Sequence, residues 1–182
     1  MEGKYFIKND LEPKGKHEHV KFSFEDGTSL RYEDVRKFGT MHLVKSNELN
    51  NDNGLSKQGI EANSEDLTKE YLFEKIKLKK VPMKSLLLDQ TIISGLGNIY
   101  ADEVLFSAFI NPLRFGNTIS LDECENLVES SKRIINNAIM HGGTTIRSYT
   151  SSLGVIGGYQ DYLKVHTKDG EACLVCNQNI ER

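Results

Sequence analysis

Between His19 and Phe24 apolar and polar residues alternate, with Val20, Phe22 and Phe24 on one side and Lys21 and Ser23 on the other. That is the period of a strand with one buried face. Asp26-Gly27 follows, a pair suited to the positive-φ positions of a tight hairpin, and Leu30 and Tyr32 resume the alternation. A further strand is predicted over residues 40–44. Residues 47–59 (NELNNDNGLSKQG) are polar, Asn-rich and marked by glycine, the composition of a loop or linker.

Beyond residue 60 the period becomes helical. Ser64 is placed to cap a first helix carrying Leu67, Tyr71, Leu72 and Ile76. Pro82 can open a second, with Met83, Leu86 and Leu87 on one face. The break Ser94-Gly95-Leu96-Gly97 separates it from a third helix over residues 98–109, which Asn111-Pro112 ends. Ser120 and Glu123 have capping-box spacing and start a fourth. Its apolar positions are Cys124, Leu127, Val128, Ile135, Ala138 and Ile139, and Gly142-Gly143 stops it. Residues 149–158 read as loop and 159–166 as a strand. No internal repeat or low-complexity tract interrupts the layout. Strands, then a helical bundle, then a small cysteine-bearing tail make an α+β fold.

Composition narrows the class without naming a function. The chain has 182 residues, 38% hydrophobic and 27% charged, enough for one domain or two small ones sharing a core. No run of eighteen apolar residues suggests a membrane span, and the N-terminal residues lack the pattern of a secretory signal. Three cysteines do not make a disulfide framework, so a reducing, cytoplasmic setting is expected. The net charge of −3 does not announce a nucleic-acid binder, and any positive charge that meets DNA must be local.

Three features could carry chemistry. Cys173 and Cys176 have the two-residue gap that lets two thiolates meet one zinc ion, in a turn-rich, polar setting suited to a zinc knuckle. A redox dithiol is the competing reading, although the βαβ setting usual for one is missing. Zinc would need two further ligands. His166 is a possible third but reads equally as an ordinary surface or core residue, and Cys124 reads as core. The second feature is the Gly-rich turn before Asn98, where glycines allow close approach and a helix start offers free N–H groups to a phosphate. The same glycines could merely permit tight helix packing. Lys75, Lys77, Lys79, Lys80 and Lys84 lie upstream, either as a solvated face or as local positive charge for phosphates. The third is the stretch from Asp34 to Gly39, in which Arg36 and Phe38 project to one side. A cation beside an aromatic wedge suits a reader of distorted duplex, and an edge-strand Arg with a core Phe is the plainer alternative.

Taken together these stretches resemble the bacterial formamidopyrimidine-DNA glycosylase family. The resemblance rests on residues 90–103 (QTIISGLGNIYADE), Met1-Glu2-Gly3-Lys4, the Asp34–Gly39 stretch, Gly142-Gly143-Thr144-Thr145 and the knuckle from Gly170 to Cys176, all in the family's order. It implies a partial β-sandwich over residues 1–47, a linker over 48–63, a helix–two-turn–helix DNA-binding domain over 64–150, and the end of a lesion loop with half a zinc ribbon over 151–182. It further implies base-excision repair of oxidised purines (8-oxoguanine and formamidopyrimidine) by a bifunctional glycosylase and AP lyase. The partner is damaged double-stranded DNA, bound by a monomer when the protein is complete.

By position, Asn98 matches the asparagine that holds a backbone phosphate. Met1, Arg36 and Phe38 match the residues inserted into the duplex. Glu2, Thr144, Ile146, Arg147, Ser148 and Tyr149 match the segment that closes over the flipped base, and Cys173 and Cys176 match half of a four-cysteine zinc site. The family's N-terminal proline nucleophile and its glutamate have no counterpart here, since Pro13, Pro82 and Pro112 are internal. No catalytic residue is therefore assigned, and the chain is expected to be a fragment that binds DNA without cutting it. A non-catalytic DNA-binding module is the alternative. The apolar face of Val20, Phe22 and Phe24 is expected to lack its facing sheet.

Overall fold

A computed structural model describes residues 3–48 in full, the backbone alone of 49–51, and residues 56–145 and 157–181. The chain divides into two compact units, Met1–Val44 with Gly142–Gln160, and Lys45–His141 with Asp161–Arg182.

In the first unit the alternating segment forms three antiparallel strands, β1 (Lys4–Asn9), β2 (Glu18–Ser23) and β3 (Thr28–Glu33), in the order β1-β3-β2. Phe24 N–H donates to the Thr28 carbonyl at 2.9 Å across the β2–β3 hairpin. Of the pair expected to take positive φ, only Gly27 does (81°). Asp26 contributes its carboxylate instead, which accepts from the Thr28 N–H and hydroxyl at 2.9 and 2.6 Å. The register sets Val20 and Tyr5 beside Tyr32, and Phe22 and Ile7 beside Leu30, so one face of the sheet is apolar. Its side chains are open to solvent: Phe22 is 46% exposed and Ile7 75%.

The opposite face is held together by charge. Arg31 is 1% exposed and donates from one terminal nitrogen to the carbonyls of Asn9, Asp10 and Glu12 at 2.8, 3.2 and 2.9 Å. The other terminal nitrogen reaches both Glu18 oxygens at 3.3 Å. A planar five-donor group is what lets one side chain tie down the whole β1–β2 connection. Residues 40–44, predicted as a strand, are not one. Among the described residues no neighbouring strand takes their hydrogen bonds, and Leu43 is fully exposed.

The second unit is helical: α1 (Lys69–Ile76), α2 (Met83–Leu87), α3 (Asn98–Ser107) and α4 (Leu121–Met140). A short parallel pair, β4 (Ile60–Glu61) with β5 (Ile93–Ser94), ties the entry of the unit to the turn after α2. The cap of α1 is Thr68, whose hydroxyl accepts from Tyr71 N–H at 3.2 Å; Ser64 was the expected cap. Ser64 is drawn into its own turn, accepting from Asp66 N–H, and that turn inserts Leu67 into the core ahead of the helix. The capping box of Ser120 and Glu123 is present, with reciprocal bonds of 3.2 and 2.9 Å.

α4 packs against α1 and α3 through Cys124, Leu127, Val128, Ile134 and Ala138. Full burial of each large aliphatic residue contributes about 2 kcal/mol. Ile139, expected in that stripe, is 63% exposed, because Ala138 holds the buried face at that turn and the next residue lies about 100° further round. Residues 159–166 do not form the predicted strand. Tyr159–Tyr162 is a 3-10 turn, and the N–H groups of Lys164, Val165 and His166 are taken by a side chain of α3. Among the described residues no helix is long and apolar enough to cross a membrane.

Candidate nucleic-acid interface

The turn between α2 and α3 is built by one amide side chain. Gln90 donates to the carbonyls of Leu88 and Leu96 at 3.2 and 2.9 Å and accepts from Gly95 N–H at 2.9 Å. Asp89 adds an inner loop, accepting from the Thr91 hydroxyl and N–H, and those two bonds hold its carboxyl below the ordinary carboxylate value. Tyr71 of α1 donates to Ile92 O at 2.9 Å, and Gly95 completes the turn at φ 91°.

The consequence is a bare helix start. Gly97, the N-cap of α3, has no side chain to cap with, and the first turn contains no acidic residue. The leading N–H groups of a helix have no intrahelical acceptor, and here no N-cap side chain takes them, with Asn98 exposed beside them. The upstream lysines are partly committed: Lys77 pairs with Glu74, Lys84 with Asp102, and Lys75 lies 5.4 Å from the Tyr71 ring. Lys79 and Lys80 make no ion pair among the described residues.

In the first unit, β3 runs into a loop in which the Arg36 guanidinium stacks over the Phe38 ring at 4.4 Å. Phe38 is 73% exposed, so it is not the core residue of the plainer reading. The Asp34 carboxylate organises the backbone beneath them, accepting from the N–H groups of Arg36, Phe38 and Gly39 at 2.9, 3.1 and 3.2 Å. It also accepts from the Tyr32 hydroxyl at 3.0 Å. Burial alone would push this carboxyl up; the donors outweigh burial and hold it below the ordinary value.

Thr144 is buried, and Thr145 accepts through its hydroxyl from Gly157 N–H at 2.8 Å and donates its N–H to the Gln160 side chain at 3.0 Å. Tyr159 N–H reaches Gly143 O at 3.0 Å. These bonds close the neck of a loop. Ile146, Arg147, Ser148 and Tyr149 lie outside the described residues, as do Met1 and Glu2.

The cysteine pair sits on a tight hairpin in the second unit. Cys173 N–H donates to Gln178 O at 2.7 Å, Asn177 N–H to Cys173 O at 2.9 Å, and Asn177 takes φ 58°. The N–H groups of Cys176 and Val175 are aimed at the Cys173 sulfur and hold its thiol below the ordinary value. Among the described residues no group of three or more potential ligands gathers there. His166 is engaged elsewhere, with its ring 2.9 Å from the Asp102 carboxylate. The hairpin's stem is fixed by Glu103 of α3, 4% exposed, whose carboxylate accepts from three consecutive N–H groups at 2.9 to 3.0 Å. Gln90 and Glu103 were within the quoted motif, but nothing in their spacing marks them as organisers of backbone.

Residues 58–150 match the family model described as the Formamidopyrimidine-DNA glycosylase H2TH domain, and residues 1–41 the Formamidopyrimidine-DNA glycosylase N-terminal domain. The formamidopyrimidine-DNA glycosylases of Bacillus cereus and Lactobacillus helveticus are each 44% identical over 182 residues, covering all of this chain and 66% of the relative. Among solved structures, a mutant of Lactococcus lactis FPG in complex with DNA containing Fapy-dG superposes with a TM-score of 0.88 at 37% identity. A complex of Lactococcus lactis Fpg with DNA containing an abasic site gives 0.87 at 38%. Both alignments take in 100% of this chain and 66% of the other, so the chain spans somewhat less than two thirds of its relatives' length.

Proposed function

Because the chain belongs to the formamidopyrimidine-DNA glycosylase family, we propose that it supplies the DNA-holding part of a base-excision repair enzyme for oxidised purines. The complete protein releases 8-oxoguanine and formamidopyrimidine and cleaves the strand at the abasic site. The residues of this chain seat and distort the duplex, and none of them is assigned the nucleophile. The observation that carries this reading is the start of α3, where no side chain caps the leading N–H groups and Asn98 lies exposed beside them. A phosphate oxygen there accepts from both, and the helix dipole favours its charge.

Arg36 and Phe38 enter the gap left by the extruded nucleotide, with Met1 beside them. The ring stacks on bases, and the guanidinium can donate to the base or phosphate opposite. Glu2, Thr144 and residues 146–149 contact the flipped base. The complete protein acts in the cytoplasm as a monomer.

The knuckle fits zinc: two thiols lie on one tight hairpin, and backbone N–H groups directed at the Cys173 sulfur favour the thiolate form that a metal requires there. Cys173 and Cys176 would be two of its ligands, and the ion would brace the hairpin without taking part in the reaction.

Anisotropy of the chain with a labelled duplex carrying a tetrahydrofuran abasic-site analogue tests the reading. Affinity is expected to fall steeply with salt, and Asn98→Ala to weaken it about tenfold. Binding indifferent to both would overturn it. The second reading, a DNA-holding module without chemistry, is favoured by the exposed Arg36–Phe38 stack, which can bind a duplex without reacting with it. Borohydride trapping on an 8-oxoguanine duplex by the protein at its family's full length separates the two: a covalent adduct excludes the module.

A further inference from the structure

Asp34 is 3% exposed, yet every donor to its carboxylate belongs to the segment that it begins or to the residue two before it. Three N–H groups of one short loop converge on it, which fixes that loop's path. Lys37, a residue with a full side chain, is thereby kept at φ 57°, a conformation that L-residues avoid. Phe38 is kept in water, where the hydrophobic effect would otherwise fold it inward. Tyr32 closes the other side. A Cβ on Gly39 would lie 2.0 Å from its hydroxyl and one on Gly3 2.3 Å, so the start of β1 and the end of the loop meet at the same oxygen.

We propose that Asp34 is a positioning residue that holds Arg36 and Phe38 as a preformed wedge, so that entry into a duplex needs no ordering of the loop. This rests on the reading of Arg36 and Phe38 as DNA-inserting. A loop already in its bound form gives up little conformational freedom on binding, and affinity gains by that amount. Asparagine in place of Asp34 keeps the shape but turns one acceptor into an NH₂ that faces N–H donors, so the turn loses its anchor.

Amide exchange in the chain, read by NMR, tests the organisation directly. Asp34→Asn is expected to speed exchange of Phe38 and Gly39 about tenfold or more while Leu30 and Arg31 keep theirs. Affinity for the tetrahydrofuran duplex should fall as far as it does in Phe38→Ala, with no further fall in the double variant. Should Asp34→Asn fail to fold, the unaltered chain decides. The Arg36, Phe38 and Gly39 amide shifts should move together in one titration below the ordinary carboxylate range. The other titratable groups against Asp34 are the Tyr32 phenol, which burial and its bond to Asp34 push up, and the His19 ring, which meets the Asp34 backbone carbonyl. Unchanged exchange in Asp34→Asn, or amides that ignore the acid titration, would overturn the proposal. If the variant loosens the loop but neither it nor Phe38→Ala alters DNA affinity, the positioning role stands and the DNA reading of this loop falls.

Discussion

Cys124 lies fully buried on α4, and burial pushes its thiol up to about 11. At pH 8 only about a thousandth of it is thiolate, against a larger fraction for Cys173, whose sulfur receives N–H bonds. Iodoacetamide should therefore label Cys173 and Cys176 in the native chain and reach Cys124 only in denaturant. Mass spectrometry of the intact protein gives the count, and a third native label would show that α4 is not packed as described.

The sequence separates these cysteines by type: an apolar helical stripe claims one, and a two-residue gap claims the others. It does not reveal Gln90, Asp34 or Glu103 as organisers. Each spends its polar atoms on backbone groups of a loop or a distant segment, and such a role leaves no period along the chain to read.

At the scale of elements, α4 depends on its first turn. Glu123 is held below the ordinary carboxylate value, first by Arg114 and then by Ser120 N–H. A depressed carboxyl contributes stability that is present above its unfolded value of about 4.5 and is lost as pH falls through the lower folded value. Thermal melts should show Glu123→Gln less stable at neutral pH and level with the parent in strong acid. Ser120→Ala should cost about 1 kcal/mol at neutral pH. Equal melting points for Glu123→Gln and the parent at pH 7 would remove the box from the account of α4.

The helices were legible because capping residues and apolar stripes are local signals. Residues 40–44 and 159–166 were misread because a strand needs a partner, and the partner is nowhere in the alternation itself. In the latter case a carboxylate from α3 had already taken the hydrogen bonds that a neighbouring strand would have supplied.

For the whole molecule the decisive fact is the open apolar side of the three-stranded sheet, with Ile7 75% and Phe22 46% exposed. A face of this kind drives association when nothing covers it. Sedimentation of the chain should show an average mass that rises with concentration. Ile7→Lys with Phe22→Lys should return it to the monomer without disturbing the Arg31 face opposite. A parent chain that stays monomeric throughout the concentration series would argue against association through this face.

α3 links two features of its unit, the proposed phosphate seat and the cysteine hairpin. Asn98 opens it, and five residues on, Glu103 grips the stem from which the cysteine hairpin extends. Along a helix that offset is about 7.5 Å. The proposed phosphate seat and the root of the hairpin are thus the two jaws of a caliper whose opening is set by helix geometry. A residue inserted between Asn98 and Glu103 would swing one jaw about 100° around the axis. The helix start and the root of the hairpin would then no longer keep their present relation.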